Sequence, residues 1–134
     1  MASILILFKL LLAGSGMMIG WFLGTLDALV YALVVLIIVD YISEIMRGVI
    51  TKELSSAAGV KAIFQKILIL LLVGVANIID IYLIRSENAP LKTATLFFYM
   101  TNQGISLLEN AAMMGIPIPK ILKETLLTLQ KNKE

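Results

Sequence analysis

The chain is a succession of long apolar blocks separated by short polar breaks. Ala2–Leu23, Leu26–Met46, Ile67–Ile84 and Thr93–Met114 are four such stretches. A helix crosses the hydrocarbon core of a bilayer with ~20 mostly apolar residues. The pattern predicts an all-α integral membrane protein with three to four transmembrane helices, four being favoured. A short amphipathic helix follows in the C-terminal tail. Residues 1–115 read as the membrane domain and 116–134 as a basic cytoplasmic tail. Ser3–Leu12 has the length of a signal-peptide core, but no positive segment precedes it and Lys9 interrupts it, so it reads as part of a retained helix.

The breaks carry their own signals. Gly24-Thr25-Leu26-Asp27 is a short turn, with Asp27 or Thr25 as the cap of the second helix. Arg47–Lys66 is the main loop. Within it Ser55-Ser56 is a helix start, after which Val60, Ile63, Phe64 and Ile67 share one face. That describes either an interfacial amphipathic helix feeding the third span or a polar loop with a helical lead-in. Pro117 and Pro119 end the fourth segment. In the tail Leu122, Leu126 and Leu129 share a face, with Lys120, Lys123, Glu124, Lys131 and Lys133 among the rest. Such a tail lies on the membrane surface or pairs with another helix.

Polar and small residues inside the spans are the candidate functional positions. Gly16, Gly20 and Gly24 recur every fourth residue, so they line one face of the first helix and allow another backbone close. Lys9 and Asp40 fall at similar depths in the first two helices, roughly 10 Å in at ~1.5 Å per residue, and are expected to form an intramembrane ion pair. Asn77 and Asp80 are helical neighbours in the third segment. Asn102, Gln103, Ser106, Glu109 and Asn110 fall within about a third of the circumference of the fourth. The candidate pore-lining or polar-stripe set is therefore Asn77, Asp80 and these five, with Lys66 near the same end as a basic partner for Glu109.

Composition removes many function classes. The 134 residues are 60% hydrophobic, with mean hydropathy +0.97, no cysteine and no histidine. Disulfides, Cys/His metal sites, thiol chemistry and histidine general bases are all excluded. A net charge of +2 is too small for a nucleic-acid binder. No cofactor, metal or catalytic residue is expected, and the chain reads as a non-enzyme. Basic residues concentrate in the Arg47–Lys66 loop and the tail, which puts both termini in the cytoplasm.

Three readings fit the polar stripe: a lumen built from many copies, a proton or ion relay, and interhelical hydrogen bonds that only hold the bundle together. A resemblance bears on the choice. LDALVYALVVLIIVDYI, the run from Ile50 to Asp80, and FFYMTNQGISLLENAAMMGIPIPKILKETL closely resemble the toxin-secretion/phage-lysis holin family of Gram-positive bacteria and their phages. The similarity covers roughly Gly20 to Leu129. Its most specific piece is Asn102–Asn110 followed by Gly115-Ile116-Pro117-Ile118-Pro119. Gln103 replaces the usual acid of the family's Asn-Glu-Gly. Ile42-Ser43-Glu44 stands where Ile-Thr-Gly is usual. Both changes alter charge or polarity in or near the membrane, where gating or timing would feel them. The resemblance implies a protein of the bacterial cytoplasmic membrane that self-associates and opens holes for an endolysin or a toxin. The alternative is a small four-helix proton-coupled exporter of cationic compounds, and a scaffold subunit is a third class.

Overall fold

The computed structural model describes residues 1–24 and 26–131. Five helices follow one another: α1 Ala2–Leu23, α2 Ala28–Thr51, α3 Ser56–Ile79, α4 Pro90–Met113 and α5 Lys120–Lys131. No strand occurs among the described residues. The run Leu33–Val39 is rich in β-branched residues that favour strands in water. In lipid only a helix satisfies every backbone group within one segment, and α2 passes through this run unbroken. Three helices are long and apolar enough to cross a membrane: α1, α2, and α3 with its extension to Ile84. α4 equals α2 and α3 in length but carries the polar stripe.

Helix ends follow from local chemistry. The Asp27 carboxylate accepts a 3.0 Å bond from the Val30 amide and caps α2; Thr25, the other cap candidate, lies outside the described residues. Ser55 Oγ accepts from the Ala58 amide and caps α3. α2 runs on to Thr51, so the expected Arg47–Lys66 loop shrinks to 52–55. The amphipathic lead-in is not a separate helix; it is the first half of α3. Arg47 and Lys66, expected in the loop, are both helical and both partnered inside the bundle.

At its far end α3 widens into a π-helical turn, Asp80–Ile84. There the Asp80 carboxylate accepts from the Leu91 and Lys92 amides at 3.0 and 2.8 Å. A carboxylate on free amides at a helix N-terminus is favoured by the helix dipole as well. Asp80 therefore caps α4 from a neighbouring helix.

α4 lies between α2 and α3 and touches each more than they touch one another. We call the end with Gly24, Asp27 and the 85–89 turn end A, and the end with the 52–55 loop and the 114–119 linker end B. Val30, Leu33 and Ile37 of α2, Val73 of α3 and Leu96 of α4 form the apolar core with Leu23. On each helix the core residues continue a stripe at three- and four-residue spacing. α1 is different. It meets α3 near its C-terminus, where Phe22 lies over Gly74 so closely that any side chain there would collide. Its main seat is α3, with Leu23 reaching the apolar core, and residues 1–19 are exposed.

Candidate functional site

The α2 stripe that builds the core continues toward end B with Asp40, Ser43, Glu44 and Arg47. These fall at i, i+3, i+4 and i+7, one helix face. The α4 stripe continues likewise with Gln103, Ser106 and Asn110, and the α3 stripe carries Lys66. Asp40, Lys66 and Gln103 each sit roughly 16–18 Å along their helices from end B, at ~1.5 Å per residue. The three helices therefore bring one carboxylate, one ammonium and one amide together at mid-bundle.

The geometry is dense. Lys66 Nζ donates to Asp40 Oδ2 at 2.7 Å, to Gln103 Oε1 at 3.0 Å and to Glu44 Oε1 at 3.3 Å. Asn110 Nδ2 donates to Asp40 Oδ1 at 3.2 Å and to Ser43 Oγ at 2.8 Å. Arg47 Nη1 donates to Asn110 Oδ1 at 3.0 Å. The result is a polar ladder descending from mid-bundle toward end B. Asp40 is 0% exposed, Asn110 1% and Lys66 8%. Two carboxylates face one ammonium and one guanidinium, so the ladder is formally neutral. Among the described residues no buried polar side-chain atom lacks a partner. That matters, because a half-satisfied buried network is worse than an apolar core. Removing one member of a buried ion pair typically costs ~3–5 kcal/mol.

Two clefts border the ladder. One of about 180 Å³ opens at end B between α2 and the start of α3, and reaches Glu44, Arg47 and Asn110. Another of about 400 Å³ lies beside α3 and α4 and reaches Asp40, Glu44, Lys66, Gln103 and Ser106. Glu44 forms a wall of both.

The expected site residues divide accordingly. Gln103 and Asn110 enter the ladder, and Ser106 stands at its edge. Asn102 is half-buried on the flank. Glu109 is exposed and faces away, into a cleft between α4 and α5 that Lys123 also lines. The five-residue stripe is wider than one helix contact, so it splits. Lys66, expected near Glu109, is held by Asp40, Glu44 and Gln103 instead. The Lys9–Asp40 pair is not formed: Lys9 is exposed on α1, and the Asp40 carboxylate is taken by Lys66 and Asn110.

Asn77 and Asp80 stand at end A, beyond the apolar core, and act as ties. Asn77 Nδ2 donates to the Phe22 carbonyl at 3.0 Å and holds the end of α1 to α3. Lys92 pairs with Asp27 at 3.7 Å. Gly24 is not on the α1 face but just past its end, at φ 80°. A Cβ there would press on Asn77 Oδ1 and Lys92 Nζ. Gly16 and Gly20 have nothing within 4 Å of a Cβ position, so that face is open.

Sequence reasoning missed Lys66, Ser43, Glu44 and Arg47 as one constellation. A signal was present. In a helical hairpin, residues equally distant from the loop face each other, and Asp40 and Lys66 flank the 52–55 loop almost symmetrically.

The model of the bacteriophage holin family matches residues 17–131. An uncharacterized protein of Listeria innocua is 41% identical over 122 residues, covering 91% of this chain and 86% of the relative. An uncharacterized 14.9 kDa protein of Clostridium perfringens is 37% identical over 118 residues, covering 88% and 89%. A probable holin of Bacillus phage phi105 is 34% identical over 102 residues, covering 76% and 74%. No solved structure matches the chain. With the family model spanning α2 through α5 and three helices apolar enough to cross a bilayer, the chain is a membrane protein and belongs to the bacteriophage holin family.

Proposed function

We propose that the chain works as a holin: copies accumulate in the bacterial cytoplasmic membrane, associate, and open holes through which an endolysin or a toxin leaves. The protein acts without catalysis; its chemistry is the exchange of helix contacts for water and for other copies. Both termini face the cytoplasm, because Lys52, Lys61, Lys120 and Lys123 gather at end B while end A has Arg85 and the paired Lys92. Self-association uses α1, whose residues 1–19 are exposed and whose Gly16–Gly20 face is open among the described residues.

The observation that carries the reading is the buried polar ladder. In a single chain its groups satisfy one another, and the outward surface is left apolar for lipid. A buried ion pair has no large net advantage over a solvated one, since desolvation offsets the attraction. Water admitted between α2 and α4 would replace each bond of the ladder at small cost. The same residues therefore suit two arrangements, closed with the ladder inside and open with it lining a lumen.

The test is inducible expression with leakage probes graded from protons to a folded protein. Release of the folded probe at the onset of lysis is expected. Cells that stay sealed and gain tolerance to cationic dyes would identify an exporter instead.

A further inference from the structure

The C-terminal helix sits badly where it is. α5 doubles back along α4, and its Leu126 lies over Gly104, whose Cβ position is 3.2 Å from Leu126 Cδ2. The rest of the seat is loose. No α5 residue is buried. A cleft of about 540 Å³ separates it from α4, between Ile105, Leu108 and Ala112 on one side and Lys123 and Leu127 on the other.

The two faces of α5 are sharply different. At ~100° per residue, Ile121, Leu122, Thr125, Leu126 and Leu129 share one side, while Lys120, Lys123, Glu124 and Lys131 share the other. On the apolar side Ile121 is 76% exposed, and Leu122 and Leu129 are nearly half exposed. The seat on α4 therefore uses little of the surface that α5 offers. It also draws charge back along the bundle. Gly104 lies roughly 15 Å along α4 from end B at ~1.5 Å per residue, so a seated α5 holds its lysines along the flank of α4 instead of beyond end B.

We propose that α5 is a basic amphipathic clasp that exchanges its seat on α4 for an anionic bilayer surface. Its three lysines against one glutamate match anionic headgroups, and its exposed leucine and isoleucine side matches the acyl boundary beneath them. The Gly115–Pro119 linker emerges at end B, the edge of the membrane, so α5 reaches that surface by swinging about the linker. Leaving the seat uncovers Gly104 and Leu108 of α4. This inference rests on membrane insertion and not on hole formation.

The full chain contains no cysteine, so Ile121→Cys accepts a single environment-sensitive fluorophore. The labelled protein is reconstituted in vesicles of phosphatidylcholine alone or enriched in phosphatidylglycerol. Emission is expected to shift to the blue in the anionic vesicles and to be quenched by shallow lipid-borne quenchers. High salt should reverse the shift. Each lysine should contribute about fivefold in surface partition, so replacing Lys120, Lys123 and Lys131 with Gln should abolish the difference between vesicles. A second reporter, Leu108→Cys, should react faster with a thiol reagent in the anionic vesicles. Identical emission in both vesicles, or an anionic shift that survives the triple replacement, overturns the clasp. A chain that opens holes with its label unmoved would refute the clasp alone and leave the holin reading standing.

Discussion

The two halves of the bundle are built on the same three stripes and use them in opposite ways. Toward end A the stripes carry Val30, Leu33, Ile37, Val73 and Leu96, and the turns beyond are tied by Asp27, Asn77, Asp80 and Lys92. Toward end B the stripes carry Asp40, Glu44, Arg47, Lys66, Gln103 and Asn110. Apolar packing gains nothing from water, which cannot replace a van der Waals contact. A hydrogen-bonded ladder has two arrangements, because water can replace each of its bonds. If the chain works as proposed, the half near end A serves as the anchor and the half near end B as the part able to change partners.

The largest effect should come from unbalancing the ladder. Lys66→Met leaves Asp40 buried without its cation, a loss of about 3–5 kcal/mol from the closed arrangement. Dye leakage after induction should begin at a lower membrane level of protein than in wild type. Adding Asp40→Asn removes the stranded charge and should move the onset back toward wild type. An onset unchanged by Lys66→Met would mean that the ladder does not hold the closed state.

Loss of packing in the other half should act differently. Leu33→Ala removes a fully buried side chain from the core, for a cost of about 2–5 kcal/mol. It should lower the thermal unfolding midpoint in detergent while leaving the ladder residues no more reactive than before. If Leu33→Ala and Lys66→Met advance leakage equally at matched loss of stability, the two halves do not differ in role.

How much of this was legible beforehand follows the same division. The helices were legible because the apolar blocks have the length of a span, and the caps at Asp27 and Ser55 because those residue types accept from free helix amides. The extent of α2 and α3 was not. Arg47 and Lys66 read as loop residues because an isolated charge avoids lipid, and only the three-dimensional pairing shows that neither is isolated. Asp80 as the cap of α4 was equally hidden, since it acts across a turn and from another helix. The five polar residues of α4 were legible as a group, but which of them face α2 depended on where α4 docks.

The smallest effect on the single chain is expected from Gly20→Leu. Among the described residues nothing stands within 4 Å of a Cβ there, so helix content and thermal midpoint should match wild type. Close helix approach between copies should suffer, with crosslinked oligomers reduced several-fold. Crosslinking at wild-type yield would remove α1 as the assembly face and leave the comparison of the two halves intact.

The account stands most directly on whether the ladder meets water when the hole opens. Ser43→Cys places a thiol in the ladder and Leu33→Cys places one in the apolar half, each as the chain's single cysteine. A membrane-impermeant thiol reagent is applied to cells before induction-triggered leakage and again after its onset. We predict that the cysteine at position 43 is protected before onset and modified after it, while that at position 33 is protected throughout. Leakage with the position 43 thiol still protected, or equal modification of both positions, would contradict the account.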